Sequence, residues 1–180
     1  MNNNIDRIKS LIRNIPDYPK PGIIFRDITS LLNDRNGFSL IAEEIHRILL
    51  MQRDLIFNKV VAIEARGFIF GTLLAEYSYT PLVLARKSGK LPGEVVEIEY
   101  GLEYGKDSLC LQKTDIKRGD EVIICDDLLA TGGTAKAVCD LVEKLGGKIT
   151  ECYFLIELDD LEGRKVLEDK GIKVISSIHY

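Results

Sequence analysis

An α/β fold, with a central mainly parallel sheet flanked by helices, is what this sequence predicts, and three observations carry the prediction. KVVAI at 59–63, PLVLA at 81–85 and EVIIC at 121–125 are nearly unbroken apolar runs, as strands buried on both faces require. Segments of helical periodicity separate such runs, which is the order that parallel strands need for their crossovers. Last, DDLLATGGT at 126–134 follows directly on EVIIC, at the carboxyl end of a strand, where open α/β sheets bind ligands.

The elements follow in order. Ile5, Ile8, Leu11 and Ile12 lie at helical spacing and predict a helix ending at Asn14, ahead of Pro16. PDYPKPGIIFRDIT at 16–29 holds three prolines and Gly22 and is expected to be irregular, although Ile23, Ile24 and Phe25 are too apolar to be left in water. Phe38, Ile41, Ile45, Ile48 and Leu49 mark an amphipathic helix over 37–53. Strand 59–63 leads to a helix over 68–77 and strand 81–85. VVEIEY at 95–100 and DSLCLQ at 107–112, separated by Gly101 and Gly105, read as a hairpin or a mobile flap. After strand 121–125 come a helix over 132–145 and strands at 149–158 and 172–178.

A chain of 180 residues has the length of one domain and can bury a core without disulfides or structural metal. With 46% apolar and 29% charged residues it falls among soluble globular proteins. A net charge of −4 excludes a generally basic nucleic-acid surface but not a local phosphate pocket. MNNNIDRIKSLIRNI has no secretory pattern and no stretch approaches a membrane span, so a cytoplasmic location without a membrane partner is expected. Cys110, Cys125, Cys139 and Cys152 form no C-x-x-C pair and read as buried free thiols of a reducing compartment.

The chemistry gathers at 126–134. Gly132 and Gly133 permit a tight turn and a close approach of backbone to ligand, and a helix opening near Thr134 offers unpaired N–H groups and the positive end of its dipole. The hydroxyls of Thr131 and Thr134 add donors. Taken alone, TGGT could simply cap a helix. The paired acids Asp126 and Asp127 beside it suit the vicinal hydroxyls of a ribose 5-phosphate. Neither G-x-x-x-x-G-K-[ST] nor G-x-G-x-x-G occurs, so neither a P-loop nor a dinucleotide fingerprint explains the run.

VIICDDLLATGGT resembles the phosphoribosyl pyrophosphate signature of type I phosphoribosyltransferases, and the spelling DDLLATGGT is similar to the adenine-specific branch of that family. YPKPGIIFRDIT at 18–29, EARGFIFG at 64–71, ARKSGKLPG at 85–93 and EYGLEYGKDSL at 99–109 resemble further segments of the same enzymes in the same order. The resemblance implies one phosphoribosyltransferase domain over 1–180, with an N-terminal helix and base-binding hood loop in 1–35 and a flexible flap at 85–108. It implies an enzyme that converts adenine and phosphoribosyl pyrophosphate to AMP and pyrophosphate.

By the same resemblance, Asp126, Asp127, Ala130, Thr131, Gly132, Gly133 and Thr134 hold the ribose and its 5-phosphate. Glu64, Ala65, Arg66 and Gly67 form a pyrophosphate loop, with a non-proline cis peptide falling at Glu64–Ala65. Arg86, Lys87 and Lys90 neutralise the departing pyrophosphate, Arg86 and Lys87 as catalytic groups. Glu103 is the acid-base group at the purine imidazole, and Gly101 stands where the family has serine. Adenine lies between Phe25 and Leu128, read by backbone groups of Ile24 and Arg26, with Tyr104 beside it. Mg2+ is held mainly by substrate oxygens, so no protein metal ligand is named. A homodimer with the EARGF neighbourhood near the subunit boundary is also implied.

Two other readings stand beside this one: a phosphoribosyltransferase for a 6-oxopurine or another base, and a non-catalytic regulator that senses phosphoribosyl pyrophosphate. The IIFRD and LEYG segments favour adenine over the first. The first 15 residues are too short for the DNA-binding domain that the second would carry.

Overall fold

A computed structural model describes residues 3–52, 55–102 and 105–180. The chain forms two compact units, Met1–Met51 and Gln52–Tyr180.

In the first unit, α1 (Asn3–Leu11) precedes β1 (Arg13–Pro16), β2 (Ile24–Asp27), α2 (Thr29–Leu32) and α3 (Gly37–Met51). The helical spacing of Ile8, Ile41, Ile45 and Ile48 turns these side chains inward, and all are buried. The segment expected to be irregular is partly a ribbon: β1 and β2 pair antiparallel, with Ile15 opposite Phe25. Pro16 is tolerated because it ends its strand, where the missing N–H disrupts little. Tyr18–Pro19 is cis, and the rings of Tyr18 and Phe25 meet edge to face at 5.2 Å.

The second unit carries β3 (Lys59–Ile63), α4 (Gly67–Ser78), β4 (Leu82–Lys87), β5 (Val95–Leu102), β6 (Gly105–Gln112), β7 (Glu121–Leu129), α5 (Gly133–Leu145), β8 (Lys148–Glu157), α6 (Gly163–Glu168) and β9 (Lys173–His179). Its seven strands lie in the order β5-β6-β4-β3-β7-β8-β9. The five from β4 to β9 are parallel, and β5 and β6 form an antiparallel hairpin against the end of β4.

Successive side chains of a strand point to opposite faces, and β3 shows which helix covers which. Val61 and Ile63 share a core with Val138, Leu141 and Val142 of α5. Ala62 faces α4 instead, so closely that a Cβ at Gly71 would lie 2.5 Å from the Ala62 Cβ. The crossover from β3 runs to β4 on one side and that from β7 runs to β8 on the other. The crevice of a doubly wound sheet opens between two such strands, at their carboxyl ends.

Candidate active site

A cavity of about 380 Å³ occupies that crevice, lined by residues 64–66 after β3, by 126–135 at the end of β7 and the start of α5, and by Lys87, Tyr100, Asp107 and Phe154. Two sequence-predicted loops are thus brought to one place. Both belong to the same unit.

The loop from Ala130 to Gly132 turns into α5 through Gly132, whose φ of 80° is open to glycine at little cost. A second glycine supports it from behind. A Cβ on Gly163, at the start of α6, would stand 2.1 Å from the Ala130 carbonyl oxygen, so only glycine lets α6 approach this closely. Arg164 anchors α6 through Glu157, with Nη2 2.6 Å and Nε 2.9 Å from the carboxylate oxygens, and donates to the Val174 carbonyl at 2.9 Å. The first turn of α5, Gly133, Thr134 and Ala135, lines the cavity with N–H groups that have no partner within the helix. An anion is the natural guest of such a helix end.

Asp126 and Asp127 lie within β7, which runs on to Leu129, rather than after a strand that stops at Cys125. Asp127 is buried and Asp126 half-buried. Asp126 accepts the Asp127 N–H at 2.8 Å. Arg66 Nε stands 2.9 Å from Asp127 Oδ2, but off the N–H axis, so the contact is an ion pair and that oxygen has no hydrogen bond. Burial and the charge of Asp127 push the Asp126 carboxyl well above its ordinary value. Burial also raises Asp127, with Arg66 opposing.

The peptide Glu64–Ala65 is cis, at the position expected. Gly67 has a steric reason: a Cβ there would meet Asp126 Oδ1 at 2.7 Å and the Cys125 carbonyl oxygen at 2.9 Å. Arg86 and Lys90, foreseen at the diphosphate, do not line the cavity. Arg86 is held by Glu64, with Nη2 3.0 Å from Oε1, and donates to the Lys90 carbonyl at 3.0 Å. Glu64 also accepts the Lys87 N–H at 2.8 Å. Burial raises the Glu64 carboxyl, yet Arg86 and this N–H outweigh it and hold it below the usual range.

Lys87 lies in the cavity and pairs with Asp107 at 2.9 Å, a contact that raises the lysine and lowers the acid. Asp107 and Tyr100 are directly opposite in the β5–β6 ladder. Burial raises the Tyr100 hydroxyl above its ordinary value, with Thr134 opposing. The flap strands lie over the anion loop, for a Cβ on Gly133 would be 3.8 Å from the Gly101 carbonyl oxygen.

Sequence reasoning did not single out Tyr100, Asp107 or Phe154. Cross-strand pairing depends on a register that the hairpin sequence alone leaves open. Glu103 and Tyr104 lie outside the described residues. Ile24, Phe25 and Arg26 are on β2 in the first unit, with Ile24 exposed and the other two half-buried. Leu128 lines the cavity in the second unit.

An acid pair and a helix-end anion cradle at the switch point of this sheet are the marks of a phosphoribosyl transferase domain, and the family model of that description matches residues 29–179. An adenine phosphoribosyltransferase of Rubrobacter xylanophilus is 53% identical over 176 residues, 98% of this chain and 93% of the relative. The crystal structure of adenine phosphoribosyltransferase from Thermoanaerobacter pseudethanolicus superposes with a TM-score of 0.90 at 45% identity, covering 98% of this chain and 99% of the other. That from Saccharomyces cerevisiae, complexed with D-2,5-dideoxy-2,5-imino-altritol 1,6-bisphosphate and adenine, gives 0.91 at 34% identity, again over 98% and 99%. The chain belongs to the adenine phosphoribosyltransferase family and has the type I fold.

Proposed function

We propose that the chain transfers the 5-phosphoribosyl group of phosphoribosyl pyrophosphate to N9 of adenine, giving AMP and pyrophosphate with inversion at the anomeric carbon. The observation that carries this reading is the joining of the α5 N-terminus, the acid pair and the Glu64–Gly67 loop in one cavity of about 380 Å³. The N–H groups of the loop 130–134 and the hydroxyls of Thr131 and Thr134 take the 5-phosphate. Asp126 and Asp127 accept hydrogen bonds from the ribosyl hydroxyls, and Arg66 and Lys87 face the diphosphate. Recognition of the base is assigned to Ile24, Phe25, Arg26, Leu128 and Tyr104, as the resemblance implies.

The chain's contribution to the reaction is positioning and charge. Fixing the sugar at its phosphate and hydroxyls aligns the anomeric carbon with the incoming nitrogen. Lys87, with Arg86 and Lys90 after rearrangement, neutralises charge that grows on the leaving group, and Glu103 protonates or stabilises the imidazole side of the purine. Flap strands over the anion loop exclude water from a ribosyl cation that it would otherwise trap.

Mg2+ would be held mainly by the oxygens of phosphoribosyl pyrophosphate in this reading, and when bound it would supply charge neutralisation at the diphosphate. The donor set fits such a cation rather than a protein cage. Among the described residues, the group of three or more acids, cysteines or histidines close enough to share an ion is Glu157, Asp159 and His179, outside the cavity. Asp127 Oδ2, buried without a hydrogen-bond partner and ion-paired with Arg66, would be the acceptor available to the water shell of such an ion. A homodimer and a cytoplasmic location complete the proposal, on the strength of the family resemblance. Among the described residues no helix is long and apolar enough to cross a membrane.

Glu103→Gln is expected to lower turnover with adenine by about a hundredfold or more, the usual worth of an acid-base group, and Asp126→Asn to lower it steeply by loosening the sugar, while the fold persists in both. A coupled assay with far-ultraviolet circular dichroism checks both; near wild-type turnover from the two variants contradicts the assignment.

A further inference from the structure

Three cations in and beside the cavity meet acids of the same chain: Arg66 with Asp127 at 2.9 Å, Arg86 with Glu64 at 3.0 Å and Lys87 with Asp107 at 2.9 Å. A pocket built for a diphosphate is thus matched internally with acids. The third pair differs from the others in its surroundings. Asp127 is buried, and Glu64 is bound by Nε and Nη2 of Arg86 and by a backbone N–H. The side chains of Lys87 and Asp107 remain 56% and 24% exposed, so an incoming anion can reach them.

From this geometry we propose that Asp107 is a stand-in anion: it orients Lys87 in the empty pocket, yields it to the diphosphate, and then opposes retention of the product. The proposal rests on the phosphoribosyl transfer reading above. The exchange runs forward because an exposed ion pair is worth little, whereas a diphosphate offers the ammonium several charged oxygens. Asp107 does not leave with the lysine. Its Oδ1 accepts the Ser108 N–H at 2.9 Å, and Tyr100 stands directly opposite it on β5. Its charge therefore stays aimed at the cavity after Lys87 has changed partners. A fixed carboxylate beside bound pyrophosphate is repulsive, and it shortens the stay of a product that Lys87 alone would hold.

Asp107 is accordingly a positioning residue with a signed effect, which separates this role from a merely structural one. Isothermal titration of inorganic pyrophosphate with Mg2+ into the wild type, Asp107→Asn and Asp107→Glu is the test. Asp107→Asn is expected to bind pyrophosphate about five- to tenfold tighter, the worth of freeing one exposed ion pair and removing one repulsive charge, with product inhibition sharpened by the same factor. Asp107→Glu, which keeps the charge, is expected to stay near the wild type. Unchanged or weaker binding by Asp107→Asn overturns the proposal, because the acid then only braces Lys87. A wild type that fails to bind pyrophosphate removes instead the reading on which the proposal rests.

Discussion

Asp126 and Asp127 are costly neighbours. Two adjacent carboxyls, one buried and one half-buried, are raised in the fold by desolvation, and in Asp126 by its neighbour's charge. A carboxyl whose folded value exceeds its unfolded one weakens the fold as pH rises. Below the ordinary 3.8 both states are protonated and nothing is lost; the loss grows as pH climbs from there through the raised value. Asparagine at position 126 keeps an acceptor for the Asp127 N–H and removes the charge. Asp126→Asn is therefore expected to raise Tm at neutral pH, by about 2–4 °C for each kcal/mol recovered, and to lose the gain as pH falls toward the ordinary carboxyl range. Calorimetry of both proteins across pH measures it. A lower Tm at neutral pH contradicts the account. A residue proposed to accept the ribosyl hydroxyls is thus one whose charge the fold would be better without.

At the scale of elements, the anion loop is a product of α6 as much as of α5. Gly132 and Gly163 meet backbone to backbone, with a Cβ on either within 3.0 Å of the other's atoms. Gly163→Ala is expected to push α6 off the loop and raise KM for phosphoribosyl pyrophosphate about tenfold or more, with the helical circular dichroism signal retained. Steady-state kinetics checks this, and an unchanged KM means that the loop does not depend on α6. The sequence did not reveal that support. α6 spans six residues with Val166 and Leu167 as its apolar pair, too short for a helical period to show. Longer elements were plain: β3 runs Lys59–Ile63, as the run KVVAI indicated, and α4 at Gly67–Ser78 differs from expectation by one residue at each end. The ribbon of β1 and β2 was hidden because prolines argue against strands, and a proline at a strand's end escapes the argument. The loops after β3 and β7 were legible as spellings, since each holds its chemistry in consecutive residues. Lys87, Tyr100 and Asp107 come together only once β4, β5 and β6 have folded into register.

At the scale of the whole molecule, the sheet order places two loops at one crevice and so turns two short motifs into one site. Chain order alone keeps them about sixty residues apart. The second unit holds the cavity, and the residues proposed to read the base are Ile24, Phe25, Arg26, Leu128 and Tyr104. The choice of base is therefore the central claim. Groups that pair with the edge of adenine are left without partners against a 6-oxopurine, a mismatch that discriminates strongly. The most direct measurement is pyrophosphate release from phosphoribosyl pyrophosphate and Mg2+ with adenine, hypoxanthine, guanine and xanthine in turn. Rapid release with adenine, and at least about a thousandfold less with the other three, is the result predicted. Turnover with hypoxanthine or guanine but not adenine would contradict the account.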